Sequence, residues 1–385
     1  MSRDVRPLYG AAMQIACSLR FRRICVRALM CATTCLLPLL LACGSQERPA
    51  ARPSSVAPAA SAATARAVQA AAVPSKEGAR GRDEQNVSAL YGPESWNASL
   101  AAAELARWTP AMHVEAKALA DATYPSGKAA IEAAMKGTHR VPGAADRDRV
   151  RHPAETMAFF GLEPTMTVLD VDPGTGWYTE LLAPALAKQG RYLATGQYLP
   201  KPADEVTYAR SPWSAFVAAR FAAFLAKAPE VYGKVERIKL DYSAPKLAVG
   251  SGTVDMVLMI REVHMMRNWG TLGTWLAETL RVLKPGGILG IVDHRATPDA
   301  APEKCANFGP GGGRLPEAWV IAQAKAAGFS LVGTSEVNAN PKDAKDYEKG
   351  VWTLPPEFAL GDKDHDRYAA IGESDRMTLK FVKPR

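Results

Sequence analysis

The stretch "VLDVDPGTGWYTE", residues 168–180, most constrains how this chain can fold. An apolar segment runs into a turn that contains Gly174 and Gly176, and a segment with helical character follows. Because glycine adopts positive φ angles and has no Cβ, such a turn lets the backbone approach a bound molecule closely. The following helix would direct free N–H groups at the same point. The pattern predicts a strand, a ligand-binding turn and a helix; a tight turn without a ligand is the alternative.

The chain around and after this stretch alternates between apolar strands and amphipathic helices. Helix-forming segments such as "WYTELLAPALAK" and "LGTWLAETLRVL" separate most of the strands. The alternation predicts an α/β fold, with a Rossmann-like, doubly wound, mostly parallel seven-stranded sheet and helices on both faces. Ligands of such sheets bind beyond the carboxyl ends of the strands. The segments with strand character are "MTVLDV", "GRYLATG", "VERIKL", "VDMVLMI", "GILGIVD", "SLVGTSEV" and "RMTLKFVK".

The first 42 residues have the pattern of a secretion signal. Arginines precede an apolar segment at 28–42 that is shorter than the roughly 20 residues a membrane-spanning helix needs. The residues "LLA" before Cys43 resemble the lipobox of bacterial lipoproteins, in which the cysteine is lipid-modified and begins the mature chain. The resemblance implies a signal peptide over 1–42 and a lipid anchor at Cys43. It also implies a cell-envelope location, on the periplasmic side of the outer membrane because Gly44 follows the cysteine.

Two alternatives to this interpretation remain open. The leader could be an uncleaved anchor, or translation could start later, for example at Met13. If the leader is not used, the protein is expected in the cytoplasm.

The remaining chain divides by composition into three parts. Residues 43–87 are rich in alanine, proline and serine and lack the large apolar residues that would offset ordering entropy, which predicts a disordered tether. Residues 88–150 have helical periodicity that Pro110 should interrupt, and form a helical N-terminal extension. Residues 151–385 form the α/β domain, which opens with a short helix starting at Pro153 and ending before Gly161.

Charge and cysteine content restrict the possible functions. Residues 1–42 contain six arginines and one aspartate, so removing them lowers the formal net charge from +8 to +3. The basic character therefore belongs mostly to the leader and is a weak indication of nucleic-acid binding. Cys305 is the only cysteine after Cys43. A single thiol forms neither an internal disulfide nor a cysteine metal cluster, and we predict no metal site.

Four segments occur in the order and spacing typical of one enzyme superfamily: "VLDVDPGTGWYTELLAP", "LDYSAP", "VDMVLMIREVHMM" and "TLRVLKPGGILGIVDHRA". They resemble a class I S-adenosylmethionine-dependent methyltransferase over about residues 146–385. Within that superfamily, "RDRVRHPAETMAFFG" and "SDRMTLKFVKP" look like a bacterial group known chiefly as predicted methyltransferases. The resemblance implies a methyltransferase-like domain, S-adenosylmethionine as cofactor and transfer of a methyl group to an acceptor that it does not identify.

The resemblance also assigns roles at the first and fourth strands. Asp170 matches the acid that orients the methionine end of the cofactor, and Gly174 and Gly176 form the turn beneath it. Ile260 and Arg261, at the end of the fourth strand, match the segment whose backbone flanks the methionine part.

The residues expected around the adenosine part of the cofactor include one match to the superfamily pattern, and two positions of this sequence depart from that pattern. Asp241 matches the acid that accepts a hydrogen bond from the adenine amino group, and Tyr242 could pack on the ring. The structural alternative for Asp241 is a turn or helix cap. Asp172 stands where the superfamily usually has a third glycine, and Gln197 where it has an acid for the ribose hydroxyls. An amide still hydrogen-bonds a diol, but without charge assistance.

Methyl transfer is an in-line displacement, so the protein mainly supplies alignment and, for a weak nucleophile, a base. Candidate catalytic residues follow two predicted strands: Glu262 and His264 after the fourth, and Asp293 and His294 after the fifth. An imidazole suits proton removal from a hydroxyl near neutral pH. His294 could instead belong to a salt-bridge network with its charged neighbours.

The absence of certain motifs restricts the classes of methyl acceptor that this chain could use. The Asn/Asp-Pro-Pro-Tyr signature of enzymes that methylate amino groups of DNA bases is missing, since "MIREV" occupies that place, and no phosphate loop or zinc helix is present. We therefore expect O- or C-methylation of a small molecule and no nucleic-acid partner; the oligomeric state stays open. Because S-adenosylmethionine is made in the cytoplasm, a non-catalytic periplasmic lipoprotein that uses a degenerate methyltransferase fold for binding or scaffolding is the alternative.

Overall fold

The computed structural model describes residues 96–196, 221–238, 240, 245–304 and 309–385. The predicted signal peptide, Cys43 and the tether lie outside the described residues, and so do Gln197, Asp241 and Tyr242. No helix in the described ranges is long and apolar enough to cross a membrane.

Eleven labelled α-helices are described, and residues 221–226 are also helical. Short 3-10 turns occur at Ala145–Arg147, Pro302–Lys304 and Gly350–Thr353. The labelled helices are α1 (Trp96–Arg107), α2 (Pro110–Asp121), α3 (Gly127–Met135), α4 (Asp148–Arg151), α5 (Pro153–Phe160), α6 (Thr179–Leu186), α7 (Pro229–Tyr232), α8 (Val263–Asn268), α9 (Leu272–Val282), α10 (Glu317–Ala326) and α11 (His365–Ile371).

The predicted helix boundaries at proline and glycine are confirmed. Thr109 caps α2 by accepting a hydrogen bond from the Met112 N–H, and Pro110 occupies the first turn, where its missing N–H costs nothing. Helix α5 begins at Pro153 and ends at Gly161, which has a φ angle of 81°. The polar segment before α5 contains a 3-10 turn and α4.

The seven predicted strands form one sheet with the order β3-β2-β1-β4-β5-β7-β6. All pairs are parallel except β5–β7 and β6–β7, so β7 is the antiparallel strand of the sheet. The strands are β1 (Thr167–Val171), β2 (Arg191–Thr195), β3 (Glu236–Ile238), β4 (Val254–Ile260), β5 (Leu283–His294), β6 (Ser330–Ser335) and β7 (Arg376–Val382). The predicted fold class is confirmed.

Alternate residues of each strand pack into two separate hydrophobic cores, one on each face of the sheet. In β1, Val168 faces a core built with α2, α3, α5 and α6. Its neighbour Leu169 faces a second core built with α8, α9 and α10. Both faces are therefore covered by helices, which explains why the central strands are apolar at almost every position.

The sheet order reverses between β1 and β4. From β1 the chain moves outward to β2 and β3, then returns to the other side of β1 with β4 and β5. The loops after β1 and β4 therefore separate at this point and leave a crevice at the carboxyl ends of the two strands. This crevice is where the glycine turn lies.

Candidate functional site

A cavity of about 70 Å³ lies at the crevice between the ends of β1 and β4 and opens to solvent. The β1 turn supplies one side, the end of β4 a second, and α4 with its preceding turn a third. Its lining residues are Arg147, Arg151, Asp170, Asp172, Pro173, Gly174, Thr175, Trp177, Tyr178, Ile260, Arg261 and Glu262.

The two predicted glycines differ in what they do. Gly174 has a φ angle of 59°, and nothing lies within 4 Å of the position a Cβ would occupy, so the backbone here is open to a ligand. Gly176 has a φ angle of 95°, and a Cβ would come 3.1 Å from the ring of Phe224. Gly174 thus keeps the approach clear, while Gly176 allows close packing beneath the turn.

Asp172 occupies the position of the missing third glycine and adopts the backbone conformation that a glycine would. Its φ angle is 53°, in the left-handed region that aspartate tolerates better than most residues. Its N–H donates to Oγ1 of Thr195 on β2 at 3.0 Å. The departure from the superfamily pattern therefore leaves the shape of the turn intact and adds a carboxylate to the cavity.

Asp170 lies at the base of the cavity, 2 % exposed. Its Oδ2 accepts a hydrogen bond from the Tyr192 hydroxyl at 2.7 Å, and Tyr192 also contacts the Thr179 hydroxyl at 3.0 Å. Burial raises the pKa of Asp170 to about 7, although the Tyr192 hydrogen bond opposes the shift. This carboxyl therefore gains or loses its proton near neutral pH.

The end of β4 brings a second acid to the cavity. Arg261 has a φ angle of 65°, and its N–H donates to the Val292 carbonyl at 2.7 Å, which fixes this strained residue against β5. The next residue, Glu262, lines the cavity. Burial and the carboxylates of Asp172 and Asp293 raise the pKa of Glu262 well above its usual range.

Arginines form the opposite wall. Nε atoms of Arg147 and Arg151 each lie 3.0 Å from a carboxylate oxygen of Glu373, and Arg376 binds the same group at 3.1 Å. Burial opposes ionisation of Glu373, but the charges of these arginines hold its pKa well below the usual range. The Arg151 guanidinium lies over the Trp177 ring, 4.7 Å from its centroid.

Arg151 retains unused hydrogen-bonding capacity. The residue is 2 % exposed, yet its buried Nη2 has no hydrogen-bond partner. A buried donor without a partner is costly. Because Arg151 lines the cavity, an anionic group of a ligand would satisfy this nitrogen.

His264 and Asp293 form a buried pair beside the cavity. The His264 ring donates or accepts through Nδ1 at 2.8 Å from Asp293 Oδ1, and its backbone N–H donates to Oδ2 at 2.9 Å. The His294 N–H also donates to Oδ1 at 2.7 Å. Asp293 is fully buried and His264 is 5 % exposed. With three donors on it, the carboxylate favours the Nδ1–H form of His264, which leaves Nε2 as the basic nitrogen.

His294 has a different environment. Its Nδ1 contacts the Ser374 hydroxyl at 2.6 Å, and its ring centroid lies 5.1 Å from that of His264. Burial and the charges of His264 and Arg261 lower its pKa well below the usual range. His264, Asp293 and His294 bring potential ligand atoms within 4.8 Å of one another. The positive charges acting on His294 oppose the binding of a divalent cation there. The observed contacts are those of the Asp293 carboxylate orienting the His264 imidazole.

The segment between β6 and β7 contributes to this region. Its end supplies Glu373 to the arginines and Ser374 to His294. Its middle places the Trp352 ring 6.2 Å from His264 and close to Gly313, where a Cβ would lie 2.6 Å from the indole. The composition of this segment gave no indication of that role.

The structure gathers most of the predicted site residues at one edge of the sheet. Asp170, Asp172, Gly174, Gly176, Ile260, Arg261, Glu262, His264, Asp293 and His294 all lie there. Sequence reasoning missed Arg147, Arg151 and Glu373 as site residues. Both arginines stand in "RDRVRHPAETMAFFG", which was used for the resemblance and could have indicated them.

Solved structures similar to this chain include methyltransferases. A SAM-dependent methyltransferase from Aquifex aeolicus is 20% identical, with a TM-score of 0.39 over 62% of this chain and 93% of that chain. The 1,6-didemethyltoxoflavin-N1-methyltransferase of Burkholderia thailandensis, solved with 1,6-didemethyltoxoflavin and S-adenosylhomocysteine, is 17% identical, with a TM-score of 0.35 over 66% and 80%.

The [4+2]-cyclase SpnF is 19% identical, with a TM-score of 0.39 over 61% of this chain and 80% of that chain. No family model and no curated protein matches this chain. The TM-scores of these three structures are below 0.5, so they do not assign a function to this chain.

Proposed function

We propose that this protein is an S-adenosylmethionine-dependent methyltransferase that acts on a small molecule by O- or C-methylation. The observation that carries the proposal is the set of acids and arginines that line the cavity at the glycine turn. Asp170, Asp172, Arg261 and Glu262 come from the ends of β1 and β4, and Arg147 and Arg151 come from α4 and the turn before it.

The methionine part of S-adenosylmethionine has the complementary charges. Its ammonium and sulfonium groups would face the carboxylates, and its carboxylate would meet the unused Nη2 of Arg151. The open space above Gly174 would admit the ligand beside the backbone of the turn. The residues present therefore fit this cofactor, which when bound supplies a methyl group on a positively charged sulfur.

His264 would act as the general base for a hydroxyl acceptor. Asp293 holds Nδ1, so Nε2 is the nitrogen that would accept the proton of the acceptor as the methyl group is transferred. Asp293 would stabilise the imidazolium that forms, because its buried carboxylate is hydrogen-bonded to Nδ1. His294 and Ser374 would border the same region rather than exchange protons.

A lipid anchor at Cys43 and a periplasmic location belong to the same proposal, supported by the leader and lipobox pattern. The alternative is a non-catalytic periplasmic lipoprotein on a degenerate fold. It drew support from the departures at Asp172 and Gln197. The glycine-like φ angle of Asp172 weakens the first of these, because the turn is not degenerate in shape.

Calorimetric titration of S-adenosylmethionine into the purified protein tests the proposal. We expect saturable binding that Gly174→Asp abolishes, since a side chain there enters the open approach to the turn. Gly252→Asp is the matched control, because Gly252 has a φ angle of 65° and equally open surroundings but lies before β4, at the opposite edge of the sheet. Absence of binding at millimolar cofactor would reject the enzyme and favour the scaffold.

A further inference from the structure

We propose that Glu262 makes the cofactor pocket selective for the positively charged sulfur of S-adenosylmethionine over the neutral thioether of the product, S-adenosylhomocysteine. The inference rests on the proposed function and names the residue that discriminates cofactor from product. Both ligands carry the same adenosine, ammonium and carboxylate groups. They differ in one methyl group and one positive charge, so a selective site must recognise charge at the sulfur.

The cavity has more acids at the ends of β1 and β4 than one ammonium group needs. Asp170 and Asp172 come from the end of β1, and Glu262 follows Arg261 at the end of β4. If Arg261 and the ammonium group of the ligand each balance one acid, a third acid remains. Burial and the neighbouring carboxylates hold the pKa of Glu262 well above its usual range, so a second positive charge on the ligand would favour the ionised form of this acid.

Glu262 is the acid whose partners leave it most available. Asp170 already accepts a hydrogen bond from Tyr192, and Asp172 also interacts with another group of the protein. Among the described residues, no ion pair to Glu262 is formed, although Arg261 is its neighbour in sequence and favours its ionised form. Asp172, Asp293 and Asp170 act in the opposite direction.

Arg151 gives a second, independent indication that the cavity binds a ligand. Arg151 is buried, lines the same cavity and leaves Nη2 without a partner. An anionic group bound there would fix the methionine carboxylate at the arginine side. The positive groups of the ligand would then lie towards β1 and β4, where Glu262 stands.

Such selectivity has a functional consequence. Transfer of the methyl group removes the positive charge from the sulfur, so the attraction to Glu262 disappears at the moment the product forms. Product would then dissociate more readily than cofactor, which reduces product inhibition.

Three ligands test this in the full-length protein purified in detergent. Calorimetry at pH 8 would compare S-adenosylmethionine, S-adenosylhomocysteine and sinefungin, in which a protonated amine replaces the sulfonium. We expect both cationic ligands to bind about tenfold more tightly than S-adenosylhomocysteine, the ratio that a charge contact of about 1.4 kcal/mol produces. In Glu262→Gln the three affinities should fall within about twofold of one another.

Two further variants serve as controls. Glu262→Asp keeps the charge and should keep the preference for the cationic ligands, so it separates loss of charge from loss of folding. Glu236→Gln removes an exposed carboxylate at β3 and should leave the ratio unchanged. Equal affinities in the wild-type protein, or an unchanged ratio in Glu262→Gln, would overturn the inference while the proposed function stands. If none of the three ligands binds, the proposed function fails as well.

Discussion

Two groups of charged residues lie at the same edge of the sheet and differ in how their acids are paired with bases. In the group around the end of β7, Arg295 binds Asp375, Glu336 and Glu317 at 2.6–3.1 Å. Beside it, Arg314 and Asp343 form a fully buried pair with two hydrogen bonds. Hydrogen bonds that Arg295 donates to Glu336 and Asp375 raise the pKa of Arg295 above its usual range.

The acids in the cavity have a different environment. Burial raises the pKa values of Asp170 and Glu262, whereas hydrogen bonds and ion pairs with Arg295 lower the pKa of Glu336 and, despite its burial, that of Asp375. Acids with raised pKa values are costly to ionise in the unliganded protein, and a cationic ligand would offset that cost. The difference indicates that acids without a compensating base, rather than charge itself, mark the candidate site in this fold.

The largest expected effect is on stability in the β7 group. Arg314→Ala leaves the buried Asp343 carboxylate without its counter-charge and should lower the free energy of unfolding by about 3–5 kcal/mol. Urea denaturation measures this. Arg191→Ala, which breaks an exposed pair with Glu236, should cost at most about 1 kcal/mol. A loss below that level in Arg314→Ala would remove the contrast between the groups.

A smaller effect of opposite sign is expected for Asp170→Asn. The folded state raises the pKa of Asp170 from 3.8 to about 7, so it favours the protonated acid, and the associated stability is lost as pH rises through this range. Replacing the acid by a neutral amide should therefore stabilise the protein at pH 8 by on the order of 3 kcal/mol, but not at pH 4.

Denaturation of the Asp170→Asn variant at both pH values tests this, and the variant should bind S-adenosylmethionine more weakly. An equal gain in stability at pH 4 and pH 8 would show that the buried charge is not its source.

The pair His264–Asp293 is an intermediate case, since it is well hydrogen-bonded yet lies beside the cavity. His264→Ala should lower kcat about 100-fold, equivalent to roughly 2.7 kcal/mol of barrier. The dissociation constant of S-adenosylmethionine should change less than about twofold. A methyl acceptor would first be identified by the transfer of labelled methyl groups. Steady-state kinetics with that acceptor then measures kcat.

Asp293→Asn is the matched variant for this pair, because its amide oxygen still accepts one of the two backbone N–H groups while the charge that orients His264 is removed. We expect an intermediate loss of kcat. Equal losses in turnover and cofactor affinity in either variant would show that His264 has a structural role and is not the base.

Local patterns predicted most of the fold because they depend on neighbouring residues. The β1 strand, the turn at Gly174, and the helix between Pro153 and Gly161 all follow from alternation, positive φ angles and proline geometry. The antiparallel direction of β7 did not follow, because a strand's hydrophobic pattern reads the same in either direction.

The candidate site was predictable to the extent that strand ends meet at one edge of a parallel sheet. His264 and Asp293 were identified as candidates for this reason, and the structure places them 2.8 Å apart. The contact between Arg151 and Glu373 spans 222 residues of sequence. No local pattern connects positions so far apart.

The sequence by itself determined the α/β alternation, the glycine turn and the acids that follow β1 and β4, because each is set by residue type within a few positions. Only the tertiary structure decided which charges are neutralised. Arg147 and Arg151 share Glu373, while Glu262 remains among carboxylates. The reason is physical: pairing and burial depend on which distant segments pack together, and those two quantities set the charge that a ligand would meet.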